Sequence, residues 1–413
     1  MITFARHRLS NGLVVLHHYD SATRMVALNL LYNVGARDED PGHTGLAHLM
    51  EHLMFTGSRN AVNFDTPLEN AGGKNNAFTT VDMTNYYDVL PAQNIETALW
   101  LESDRLLSLN LAPESINVQK SVVIEEFKQT HINRPYGDVS HILSALAFTK
   151  HPYRWPTIGI STDHIADVPH EVIAQFYQRH YAVNNLILCV SGNINESDTL
   201  RLVEKWFGDI EPRDVPHRTL PEEPEQTAPR HLEVTRDVPQ NVIFRAYHMG
   251  KRMSEQYPAA DILSDILSNG TSSRLYQKLM LGTDLFTDIS CSVSGTLDPG
   301  LFYIVARLAP ETSFAIAAEA VDSELDRLQS EGVTDYELEK YVNKHIAVDA
   351  YQNVGYANVA KLLCAFEQMS SAELINTEPD SYGSLNRDDI LLAASQILRP
   401  ENCSTLLYHA SGN

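Results

Sequence analysis

The sequence is poor in cysteine, in long apolar runs and in positive charge, and each shortage removes a class of protein. Four cysteines (Cys189, Cys291, Cys364 and Cys403) are scattered through 413 residues without a Cys-x-x-Cys spacing. They read as buried reduced thiols, because singletons this far apart build neither a disulfide framework nor a metal knuckle. No apolar run approaches the roughly 20 residues that a membrane-spanning helix needs. The opening MITFARHRLSNG lacks the apolar core of a signal peptide, since Arg6, His7 and Arg8 interrupt it. The expectation is therefore a cytoplasmic protein, or a periplasmic or organellar one if a leader has been removed. Lys and Arg number 31 against 53 Asp and Glu, for a net charge of −22. That balance repels nucleic acid and anionic membrane, and its main use is solubility.

What remains is an ordinary globular composition, 43% hydrophobic and 20% charged, in a chain long enough for two or three domains. Residues 12–19 and 25–34 (MVALNLLYNV) are short, β-branched and bounded by polar turns, and so predict strands. The polar loop GARDEDPGHT leads into an apolar stretch from Gly45 to Phe55. This predicts a helix capped by Thr44, with Gly57 just past its end. Residues 75–91 predict a strand or hairpin, and 93–109 and 113–130 predict helices. Strands mixed with helices without strict alternation predict an α+β layered fold.

A proline-rich, charged stretch, EPRDVPHRTLPEEPEQTAPRH, spans 211–231 and reads as a stiff, solvated linker. It divides the chain into an N-terminal domain (1–215), a linker (216–231) and a C-terminal domain (232–413). The two parts echo each other. NNLILCVSGN (184–193) and CSTLLYHASGN (403–413) are both apolar strands closing on Ser-Gly-Asn. ILSDILSNGTSSR (262–274) follows the acidic and apolar pattern of HLMEHLMFTGSR (48–59), with apolar residues in place of the histidines. A duplicated domain accounts for both echoes.

The chemistry concentrates in GLAHLMEHLMFTGS, where His48, Glu51 and His52 interrupt an apolar segment. On a helix, residues four apart share a face, so two imidazoles can converge on one point, the geometry of a zinc half-site. Glu51 flanks that face and can act as a general base while Zn²⁺ activates water and polarises a carbonyl. A surface pair of histidines with a helix ion pair is the bland alternative, and it sits poorly on a helix of Leu, Met, Ala and Phe. His-x-x-Glu-His is the inverted zinc-peptidase motif. A third ligand is needed, and Glu102, Glu114, Glu125 and Glu126 are candidates, although Glu102 has Arg105 available as an ion-pair partner.

With these residues in view, the chain resembles the pitrilysin-type inverzincin peptidases, and in particular their short two-domain members, similar to the mitochondrial processing peptidase. RLSNGLVV, GLAHLMEHLMF, GGKNNAFTTVDMTNYY, VVIEEF, HPY, VSGN and SSRLYQKL carry the resemblance over nearly the whole length. It implies two duplicated α/β-layered domains, each an antiparallel-rich sheet with helices packed on it, forming a half-clamshell that pairs with a second subunit. It implies one zinc per chain held by His48, His52 and Glu126, with Glu51 as base. The adjacent Glu125 points about 100° away on the helix and faces solvent. Many relatives carry a second glutamate seven residues before the ligand; here that place is Gln119, which can hydrogen-bond but brings no charge.

The resemblance also implies that a peptide substrate pairs with the backbone of Asn76, Ala77 and Phe78. Relatives carry an arginine and a tyrosine seven residues apart after the SSRLxQ segment, reaching the substrate carbonyl. The matching positions here are Met280 and Thr287. The expected assembly is a heterodimer with a homologous subunit that keeps the Arg/Tyr pair, in preference to a homodimer. The function implied is zinc endopeptidase; the alternative is a non-catalytic core subunit of a larger complex with the same fold.

Overall fold

A computed structural model describes residues 1–216 and 219–411. Residues 217 and 218 of the expected linker, and Gly412 and Asn413 of the second Ser-Gly-Asn string, lie outside the described residues. The chain forms two compact units that are each discontinuous in sequence. The first gathers Met1–Gln129, Trp155–Leu220 and Ala350–Thr377, and the second Thr130–Arg154, Pro221–Asp349 and Glu378–Asn413. Against the linear division expected at 216–231, each half of the sequence thus lends a segment to the other unit.

The first unit is built on six strands: β1 (Ala5–Arg8), β2 (Val14–Tyr19), β3 (Met25–Tyr32), β4 (Lys74–Thr79), β5 (Thr84–Pro91) and β6 (Leu186–Gly192). Their order is β1-β2-β6-β3-β5-β4, antiparallel throughout except for the parallel pair β2 and β6. β3 lies in the middle, and its alternation feeds two cores. Val26, Leu28, Leu30 and Tyr32 face one, with residues of α1 (Leu46–Leu53), α2 (Ile95–Ser108) and α3 (Pro113–Phe127). Ala27 and Leu31 face the other. That second face is covered by a helix from the other half of the sequence, α5 (Tyr356–Met369), through Val359, Leu363 and Phe366. A strand buried on both faces reads as a near-continuous apolar run, and MVALNLLY is one apart from Asn29, whose buried carboxamide pairs with that of Asn85.

The second unit has five strands: β7 (Arg230–Arg236), β8 (Val242–His248), β9 (Phe286–Val293), β10 (Leu301–Leu308) and β11 (Cys403–Ala410). Their order, β7-β11-β8-β10-β9, repeats that of β2-β6-β3-β5-β4, including a parallel first pair. The two apolar strands that echo each other in sequence, β6 and β11, occupy the same place in the two sheets. α4 (Tyr257–Ser268) is the counterpart of α1. The fold is α+β with a duplicated mixed sheet, as the sequence predicts.

The proline-rich stretch is mostly exposed, with two side chains tied to the second unit. The Glu223 carboxylate accepts the backbone N–H groups of Thr149, Lys150 and His151 at 2.8–2.9 Å. Gln226 is buried, donates to the Cys403 carbonyl and accepts from the Ser404 hydroxyl. All four cysteines are free thiols, with Cys291 half-buried and the others buried.

Candidate metal centre

α1 places the chemistry by helical spacing. Leu46, Ala47, Leu49, Met50 and Leu53 point into the core, which leaves His48, Glu51 and His52 on the opposite, half-buried side. The two imidazole rings stand 4.8 Å apart, nearly perpendicular. Glu126, on the last turn of α3, extends its carboxylate to both: Oε2 lies 3.8 Å from His48 Nε2 and 3.4 Å from His52 Nε2. One ligand atom from each of the three falls within 4.8 Å of the others, the only such grouping of three or more His, Cys, Asp or Glu among the described residues. Two imidazoles and a carboxylate are the donor set of a catalytic zinc site with one position left for water, so the residues fit the metal that the motif implies. Glu125 points elsewhere and pairs with Lys128 at 2.6 Å on the surface. Glu102 is fully buried and holds Arg105 through two hydrogen bonds of 2.8 and 2.5 Å, leaving it no part in the site.

Glu51 is engaged by the Thr79 hydroxyl, which donates to Oε2 at 2.5 Å. Burial pushes its carboxyl above the ordinary range, while Thr79 and His52 pull it down. Gln119 is half-buried on α3. Asn76, Ala77 and Phe78 lie on β4, which ends the sheet, with side chains alternating between exposed and half-buried. The Asn76 carboxamide oxygen accepts the N–H of Ala77 at 2.8 Å. In the second unit, Met280 is half-buried, and Thr287 is exposed and accepts from Gln240.

Sequence reasoning missed what holds α1 in place. The expected cap, Thr44, is buried and turned away; its hydroxyl takes the Ile160 N–H and meets His164 Nδ1. The cap position falls instead on Gly45, at φ 87°, where a Cβ would stand 2.6 Å from the Ile158 carbonyl oxygen. The first free N–H groups of the helix go to the buried Glu39, whose two oxygens accept from Gly45 and Ala47 at 2.9 and 2.8 Å. Burial raises the Glu39 carboxyl well above its usual range, and the two amide donors oppose this. An acidic residue in the loop before an uncapped helix was the available signal, but three such residues stand in DED and nothing local selects one.

The insulinase model of peptidase family M16 matches residues 14–159, and the model of the M16 inactive domain matches residues 167–344. The chain belongs to the M16 peptidase family. It is 29% identical over 407 residues to the zinc protease PqqE of Helicobacter pylori, covering 96% of this chain and 91% of that protein. The crystal structure of a protease from Helicobacter pylori superposes with a TM-score of 0.92 at 25% identity, covering 99% of this chain and all of that one. Pitrilysin shares the fold at a TM-score of 0.81 and 17% identity, and this M16 chain matches only 45% of pitrilysin's length. No helix among the described residues is long and apolar enough to cross a membrane.

Proposed function

We propose that this chain is the zinc-bearing subunit of an M16 endopeptidase, with His48, His52 and Glu126 as ligands of one zinc ion and Glu51 as the general base. The convergence of these three donor atoms within 4.8 Å, beside a non-ligand glutamate on the same helix, carries the reading. Zinc, when bound, supplies Lewis acidity toward a peptide carbonyl and lowers the pKa of water. The protein's own groups do the rest. The open edge of β4 offers backbone donors and acceptors to an extended peptide, so Asn76, Ala77 and Phe78 orient the substrate with little sequence demand. Glu51 takes the proton of the attacking water and returns it to the leaving amine. Gln119 is a neutral residue near Glu126 in this scheme, limited to hydrogen bonding.

The geometry also supports a need for a partner. At the places where the resemblance expects an arginine and a tyrosine stand Met280 and Thr287, which offer neither a cation nor a phenol. Nearby Arg274 is tied to Glu337 at 2.6 and 2.8 Å and to the Gly332 carbonyl at 2.8 Å. A homologous subunit carrying the pair would complete the site. Glu51→Gln tests the core of the proposal: zinc content stays at one per chain while hydrolysis of an unstructured peptide by the assembled enzyme falls at least about a hundredfold, in line with the loss of acid–base catalysis. Activity within about tenfold of wild type would remove Glu51 from the role.

A further inference from the structure

Glu51 has three rotatable side-chain bonds and sits on a half-buried face, yet a base works only if its carboxylate waits in one place. The group that fixes it comes from the substrate strand. Thr79 is the last residue of β4, paired in register with Thr84 of β5. Beyond it the hairpin is closed by the Thr80 N–H to the Met83 carbonyl at 2.8 Å and by the Thr80 hydroxyl, which accepts the N–H groups of Asp82 and Met83 at 3.1 Å. On the far strand, the Thr84 hydroxyl is buried and donates to the Val34 carbonyl. The Thr79 backbone is therefore held by a sheet register and a turn, and its β-branched side chain has little χ1 freedom. From that anchor its hydroxyl donates to Glu51 Oε2 at 2.5 Å, the short distance of a hydroxyl-to-carboxylate bond.

We propose that Thr79 is the positioning residue for the Glu51 base: it occupies Oε2 and leaves Oε1 to take the proton of water. This rests on the reading of Glu51 as base. The Thr79 O–H bond stays intact; the proton passes from water to Oε1 and then to the leaving amine. Because Thr79 follows Asn76, Ala77 and Phe78 on the same strand, one element aligns the peptide and sets the base.

The test compares wild type, Thr79→Val and Thr79→Ser in the assembly in which wild type cleaves an unstructured fluorogenic peptide, with zinc affinity measured by chelator competition and a crystal structure of each variant. Valine keeps the shape and removes the donor; serine keeps the donor. Thr79→Val is expected to lower kcat about 10- to 100-fold, the scale of one hydrogen bond to a charged group. KM should stay within about twofold, zinc affinity should not change, and Glu51 should leave its wild-type position in the crystal. Thr79→Ser should recover kcat to within about threefold and return Glu51 to its place. A Thr79→Val enzyme with wild-type kcat and an unmoved Glu51 overturns the proposal, as does a loss that serine does not repair or one that follows zinc loss. A wild type that cleaves nothing in any assembly overturns the peptidase reading, whereas activity lost in Glu51→Gln but kept in Thr79→Val overturns only the role of Thr79.

Discussion

Glu125 and Glu126 are neighbours in sequence with opposite environments, because one helical step turns the side chain by about 100°. Glu126 faces two imidazoles, and Glu125 faces solvent and Lys128. Glu126→Gln should therefore weaken zinc binding by about a hundredfold or more, beyond the 10- to 100-fold typical of residues that only touch a ligand. Glu125→Gln should stay within about twofold in the same chelator competition, and reversed effects would shift the assignment by one residue. A different carboxylate, Asp88, is fully buried with no donor reaching either oxygen, and the group it faces is the Glu102 carboxylate, itself paired with Arg105. Two buried carboxylates and one guanidinium balance only if a proton is shared, and burial accordingly raises Asp88 well above the ordinary range. The sign follows: the folded state binds that proton more tightly than the unfolded chain, so the stability is fully present below the unfolded Asp value, about pH 4, and declines as pH rises above it. Asp88→Asn keeps the shape and a donor toward Glu102 without the proton. Urea midpoints from pH 5 to 9 should fall less steeply in the variant than in wild type; parallel slopes would show that Asp88 is ionised in the folded protein.

At the scale of elements, α1 is an eight-residue helix whose N-terminus is held by a side chain outside it. Short helices depend on tertiary support, so Glu39 holds the helix that carries two of the proposed zinc ligands. Glu39→Gln retains one acceptor and sets an amide N–H₂ against a backbone N–H. The expected cost is about 1–3 kcal/mol of stability, read as a lower thermal midpoint, with a weaker zinc affinity alongside it. Unchanged zinc affinity in a destabilised variant would confine Glu39 to folding. The same element explains what the sequence could tell. His48, Glu51 and His52 were legible because they depend only on helical period, and β3 and the β4–β5 hairpin because they depend on apolar runs and turn residues. Glu126 needed a resemblance, since four glutamates competed and only Glu102, with Arg105 three residues on, was set apart locally. Glu39 and the hydroxyl of Thr79 were illegible for the same reason: each acts across a tertiary contact, over six to eight residues for Glu39 and 28 for Thr79. α5 was hidden still further, because a helix some 330 residues from β3 completes the core of the first unit.

Across the whole molecule, the two units share a sheet order but not the residues of the candidate metal centre. Both units keep one sheet order, but where the first carries His48, Glu51 and His52, the second carries Ile262, Asp265 and Ile266, and Ile262 and Ile266 lie fully buried in its core. The second unit has no metal-binding pattern among the described residues. Its Met280 and Thr287 supply no charge-stabilising donors, and Arg274 is locked against Glu337, whose carboxyl the guanidinium and Thr334 hold down at about 2. The transition state of peptide hydrolysis develops an oxyanion, and removing a single preorganised donor from such a site costs about 10²–10³ in kcat. The purified chain should therefore bind one zinc and hydrolyse unstructured peptide slowly, and adding a homologous subunit with the Arg/Tyr pair should raise turnover by about that factor. The gain should vanish when the added subunit's arginine is replaced by alanine and when Glu51 here is replaced by glutamine, because each variant removes one side of a composite site. Rapid cleavage by this polypeptide alone, abolished by Glu51→Gln, would place the missing donor within the chain itself and make the partner unnecessary.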